Sequence, residues 1–115
     1  MIKITLPFPP SVNSLYGGGS AQKRFPSKKY KEWLLLCPKL TAHGQNSVHL
    51  TYKYYFKDNR DRDCENFCKA VSDYLVKQKV IEDDNWKVVK SLTLIPMGID
   101  RLNPRVEIEI LPVGT

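Results

Sequence analysis

Ile2, Ile4 and Leu6 alternate with Lys3 and Thr5, the two-residue period of a strand with one buried face. Pro7, Pro9 and Pro10 end that strand. Ser27 stands where an N-cap is expected, and Tyr30, Trp33, Leu34 and Cys37 then recur at helical spacing as far as Pro38. After the turn "TAHGQN", the run "SVHLTYKYYFK" carries the clearest alternation in the chain. Val48, Leu50, Tyr52, Tyr54 and Phe56 form one face, predicted to be core. His49, Thr51, Lys53, Tyr55 and Lys57 form the other. A second helix is predicted from about 63 to 78, with an apolar stripe of Phe67, Ala70, Val71, Tyr74 and Leu75. Glu65, Lys69 and Asp73 make an opposite stripe at i, i+4, i+8, where Lys69 can pair with Glu65. "VIEDDNW" turns the chain into a strand predicted over 86–95, with Trp86, Val88, Leu92 and Leu94 on one face. A loop with Pro and Gly leads to a last strand, "RVEIEIL".

The predicted order is β-α-β-α-β-β. It implies an α+β fold with one mixed sheet and helices packed on one face. The 115 residues suffice for one modest core, so residues 1–115 are expected to be a single domain. No stretch of 18 apolar residues exists, and "MIKITLPFPP" lacks the apolar centre of a signal peptide. The expected location is the cytoplasm, with no membrane partner. Three cysteines, Cys37, Cys64 and Cys68, are too few and too odd for a disulfide framework. Cys64 and Cys68, with His43 and His49, lack the CxxC spacing and second pair of a zinc site.

Charge changes the picture. The net charge is +6, which suits a polyanionic partner such as nucleic acid. Residues 1–57 carry nine Lys/Arg and one acid, Glu32, whereas residues 58–84 carry eight of the twelve acids. A basic body attracts phosphate, and an acidic island can hold the cation that phosphate chemistry requires. On charge alone, a basic protein with one charged turn fits as well.

The loop "SVNSLYGGGSAQKRFPSKK" holds Lys23, Arg24, Lys28 and Lys29, and can close on a backbone phosphate or simply lie in solvent. It lacks the Gly-Lys-Ser/Thr ending of a P-loop. Lys53 and Lys57, with Tyr55 between them, suit backbone contact and base stacking, but equally a solvated sheet face. Arg60 and Arg62 complete the set of cations that could contact a nucleic-acid backbone.

Asp61, Asp63 and Glu65 crowd into "RDRDCENFCK", where strand gives way to helix. Asp63 is placed as an N-cap and Glu65 falls in the first turn, so the helix dipole alone can account for one of them. Two converging carboxylates also suit a hard divalent cation. Asp83 and Asp84 form a second acidic knot beyond the helix, whose predicted sixteen residues span roughly 24 Å. The two knots meet only if the chain doubles back or a second subunit supplies one. Lys69 can stabilise charge developing on a phosphate, or simply neutralise a neighbour.

Asp63, Glu65, Asn66 and Lys69, in "DCENFCK", resemble the signature of the RusA family of Holliday-junction resolvases. "PPSVN" at 9–13, "SKKYKEW" and "IEDDNW" are similar in order and spacing to further elements of that family. The resemblance implies a RusA-like fold and a homodimer on four-way DNA junctions, nicking two opposing strands symmetrically. It implies dependence on magnesium, with manganese as substitute, and no small-molecule cofactor. Asp63, Glu65 and Asp84 would be the metal carboxylates and Lys69 their catalytic partner. Asn66 would orient a carboxylate or touch the backbone. Asp84 is chosen over Asp83 because the second acid of the pair matches the family. The family's usual second acid is Asp. Glu65 places its carboxylate about 1.5 Å further out. Cys64 stands where an apolar residue is usual.

Three other readings remain open at this point. One is a phage-type nuclease acting on many branched DNAs. Another is a non-catalytic junction-binding protein whose site has decayed at Glu65. The third is a structural protein with solvated charges.

Overall fold

The computed structural model describes residues 1–17 and 25–113. Four strands form one mixed sheet: β1 (Ile2–Pro7), β4 (Val48–Phe56), β5 (Val89–Ile99) and β6 (Arg105–Pro112), in the order β1-β6-β4-β5. β6 runs antiparallel to both neighbours, and β4 and β5 run parallel. Two-residue strands β2 (Tyr16–Gly17) and β3 (Phe25–Pro26) pair separately. The helices are α1 (Lys28–Leu36) and α2 (Lys69–Lys77), with short 3-10 turns at Val12–Ser14 and Cys64–Phe67.

The alternation in the sequence builds one apolar face. Register aligns Leu50 with Ile110, Tyr52 with Ile108 and Tyr54 with Val106, and β1 adds Ile2, Ile4 and Leu6 to the same rows. Both helices cover this face. α1 buries Tyr30 and Trp33, and α2 buries Ala70, Val71, Tyr74 and Leu75. Trp33 meets Tyr74 edge-on at 5.7 Å, and its indole Nε1 donates to the Pro7 carbonyl at 2.9 Å. The buried tyrosines keep their hydroxyls satisfied. Tyr52 bonds Ser72 at 2.8 Å, and Tyr54 donates to the Phe67 carbonyl at 3.0 Å. Burial pushes both phenols well above the usual tyrosine range. The α+β class, the mixed sheet, the single helical face and the order of the six longer elements are as the periodicity predicts; the β2–β3 pair falls inside the segment read as a loop.

Ser27 does cap α1, accepting from the Tyr30 amide at 3.1 Å. Its hydroxyl also donates to the Ser14 carbonyl, which ties the start of α1 to the preceding turn. The second helix differs from expectation. The predicted 63–78 span is broken into the 3-10 turn and the shorter α2, and the Asp63 side chain makes no capping bond. Strand β5 also starts later than 86. Asp83 accepts from the Asp84 amide and the Asn85 side chain, and Asn85 accepts from the Lys87 amide. These side chains satisfy the backbone in a turn, so no ladder is needed until Val89. Trp86 therefore lies outside the strand, and is 76% exposed. Pro96 and Gly98, expected in the following loop, belong to β5.

Ile108 is 1% exposed between Ile4 and Tyr52, whereas Leu102 is 98% exposed in the β5–β6 turn. Ile108→Ala should cost about 2–5 kcal/mol, by lost transfer energy and residual cavity. Leu102→Ala should stay within about 0.5 kcal/mol. Urea unfolding of both variants beside the parent checks this. Equal midpoints would mean that the sheet face is not the core.

Candidate functional site

β4 and β5 are parallel neighbours joined through α2, so the segment after β4 leaves the sheet at a strand's carboxyl end, where α/β units commonly bind ligands. The acidic stretch lies in this segment. Asp63 is extended (φ −96°, ψ 121°) and starts the 3-10 turn through its carbonyl, which accepts from the Asn66 amide at 3.0 Å. That leaves its carboxylate out of the backbone's bonding. Among the described residues, no side-chain bond or ion pair engages Asp61, Asp63, Glu65 or the Asn66 amide group. Asp61, Asp63 and Asn66 line one cavity of about 350 Å³ with Ser11 and Asn13 of the PPSVN segment.

A second cavity, of about 420 Å³, shares Ser11, Arg62 and Phe67 with the first. Lys29 from α1 and Lys57 after β4 bring positive charge to it, over a wall of Phe8, Pro9 and Pro10. Phe8 is wedged against Phe67 at 5.1 Å and Phe56 at 5.5 Å, which makes that wall rigid. The two cavities form one cleft, cationic at one end and acidic at the other.

Arg62 is held rather than free. Its guanidinium lies 2.7 Å from Asp58 and 5.7 Å from the centre of the Phe56 ring. This contact holds the Asp58 carboxyl down at about 2, with a backbone bond from Arg60 adding to the effect. Arg60 itself reaches Asp58 at 3.8 Å. Lys28 sits 3.9 Å from Glu32 in open solvent. Lys53 is paired with Glu109 at 3.0 Å on the outer sheet face, away from the cleft lining. Lys23 and Arg24 lie outside the described residues.

Lys69 is the first residue of α2, and pairs with Asp73 at 3.3 Å rather than with Glu65. Asp84 follows the turn that opens with Asp83. Partial desolvation raises its carboxyl above the usual range, and the neighbouring Asp83 and the charge of Asp73 add to this. Among the described residues, no three His, Cys, Asp or Glu side chains are placed to hold one metal ion. Asp63, Glu65 and Asp84 thus make no closed three-carboxylate cage within the chain. The carboxylate oxygens of Asp61 and Asp63 and the amide oxygen of Asn66, in a cavity also lined by Arg62 and Phe67, fit a magnesium ion of the usual protein kind, held by one or two carboxylates with water and substrate phosphate. Burial pushes the Cys64 and Cys68 thiols up, and Cys68 donates its thiol to the Glu65 carbonyl.

The family model of endodeoxyribonuclease RusA matches residues 7–111, nearly the whole chain. The chain belongs to the RusA family. It is an endodeoxyribonuclease of a family that acts on DNA junctions. No curated protein matches it. The sequence had supplied the acidic run, Lys29, Lys57 and Arg62. It gave no separate signal for Ser14, Phe8 or Phe67 as cleft residues. Asn13 and Ser11 were visible only inside the PPSVN resemblance.

Two titrations follow. The folded pKa of Asp58 lies below its unfolded value, so its contribution is present above about pH 4 and is lost as pH falls towards 2. Asp58→Asn should flatten the stability loss over that interval, measured by urea midpoints at pH 5, 4, 3 and 2. An unchanged acid limb would show that the Arg62 pair is not formed in solution. Asp84 has the opposite sign. Its folded pKa is raised, so its effect turns unfavourable as pH rises through that value. Asp84→Asn should raise the metal-free melting temperature at pH 7, but not at pH 3.

Proposed function

We propose that the chain is a magnesium-dependent, cytoplasmic nuclease that resolves four-way DNA junctions as a homodimer, by paired nicks in opposing strands. The observation that carries this reading is the cleft itself. It joins Asp61 and Asp63, whose carboxylates make no ion pair among the described residues, to the cations of Lys29 and Lys57 in one continuous surface. A phosphodiester needs both ends: cations that hold the strand and carboxylates that tolerate a divalent ion beside it.

Asp63, with Asp61 beside it in the cleft, would hold the cation; Glu65 and Asp84, which line neither cavity, are the further carboxylates proposed for it, with manganese as a substitute. The ion would supply a positive charge on the phosphate oxygens and a lower pKa for water. The chain's own residues do the rest. Lys29 and Lys57 grip the backbone flanking the scissile phosphate. The Asp63 carboxylate accepts a hydrogen bond from the attacking water and orients it in line with the leaving oxygen. The Lys69 ammonium spends one donor on Asp73, and keeps two for the non-bridging phosphate oxygens. Asn66 donates from its amide to the same backbone, or steadies the Asp63 carboxylate.

Asp63→Asn should abolish cleavage of a labelled mobile four-way junction, a loss of at least 100-fold, while junction binding changes by less than about threefold. The parent should cut with magnesium and not with EDTA. Its nicks should be paired and symmetric on the junction, with slower cutting of flaps and linear duplex. A variant that cuts normally would remove Asp63 from the site. Tight junction binding by the parent without cutting, in magnesium or manganese, would leave a binding protein.

A further inference from the structure

The chain has two tryptophans in opposite situations. Trp33 is 4% exposed in the core, whereas Trp86 is 76% exposed. A large aromatic ring left in water is unusual, and here it is left there by design of the local chain. The turn that carries Trp86 is locked by the three side-chain bonds of Asp83 and Asn85, and the Val88 and Val89 amides both donate to the Asn85 carbonyl. The ring is thus presented on a rigid support rather than on a loose loop. Two ammonium groups lie over it in cation–π contact, with Lys87 at 5.9 Å and Lys90 at 5.8 Å from the ring centre. Two residues before it stands Asp84.

We propose that Trp86 is a stacking platform for an unpaired or unstacked DNA base, with Lys87 and Lys90 taking the phosphates on either side. The inference rests on the nuclease reading, and adds to it the residue that recognises a branch. An aromatic face with adjacent cations matches what a nucleotide offers: a flat base and a backbone charge. Stacking on a base tolerates any sequence, because every base presents a π-face. In intact duplex the base faces are covered by their neighbours. At an opened branch point they are not, so the ring distinguishes an opened branch from linear DNA without reading sequence. A second copy of the chain is the alternative cover for the ring, but the two lysines beside it repel a like patch.

The test uses the Asp63→Asn protein, so that DNA survives, and tryptophan emission at protein saturation. A four-way junction should quench the exposed tryptophan and shield it from iodide, while linear duplex of equal length should do so much less. Adding Trp86→Leu should remove the quenching and weaken junction binding roughly tenfold, with an unchanged circular dichroism spectrum. Trp86→Phe should recover most of the affinity. Lys87→Ala and Lys90→Ala should each lower the salt slope of binding by about one, which Trp86→Leu should not. Saturated junction with unchanged emission would overturn the proposal. So would undiminished affinity in Trp86→Leu, or a tryptophan shift that follows protein concentration without DNA. A protein that binds no DNA in any form would instead remove the nuclease reading, and the platform with it.

Discussion

The site depends on a buried hydroxyl. Tyr54 lies in the middle of the sheet and donates to the carbonyl of Phe67, the last residue of the acidic 3-10 turn. Two residues earlier on the same strand, Tyr52 bonds Ser72 in α2. These two contacts fix where the chain goes after it leaves β4. Without them the turn would keep only its packing contacts, such as the Phe67 ring on Phe8. Each hydroxyl also needs its partner, because an unpaired phenol in this core would cost about 1–3 kcal/mol. Core packing and placement of the acids are therefore one constraint.

Phe67 then serves two sides. Its carbonyl holds Tyr54 and its ring packs on Phe8, so the acidic turn and the proline-rich segment after β1 are brought to one place. Segments some fifty residues apart in sequence become opposite walls of a cleft. Arg62 closes the arrangement from outside, pinned to Asp58 and laid over Phe56. It gives the cleft a fixed positive edge, where a free arginine would wander.

Much of this was legible in the chain, because its strands alternate strictly. Val48 to Phe56 and Val106 to Ile110 have one solution each for which face is buried, and that sets the register of the central pair. The acidic run was equally plain, since clustered like charges have few structural uses. What sequence could not show was competition among polar groups. Asp63 looks like a cap, but its turn is 3-10 and its side chain makes no capping bond. Lys69 has acids at both i−4 and i+4, and chooses Asp73. Trp86 and Val88 share a strand-like period, yet Asp83 and Asn85 satisfy the backbone first and the ring is left in water. Whether Asp84 joins Asp63 is a matter of tertiary path, which spacing along a chain does not encode.

The strand order has a consequence for how the molecule is made. β6 is the last strand in the chain but lies inside the sheet, between β1 and β4. During synthesis the β4-α2-β5 unit can assemble early, while β1 waits for a partner not yet translated. The apolar rows of Ile2, Ile4 and Leu6 stay open until Val106, Ile108 and Ile110 slot in beside them. A chain cut off before that point would lose the centre of its sheet rather than a margin, with its acidic turn already formed on a half-built support.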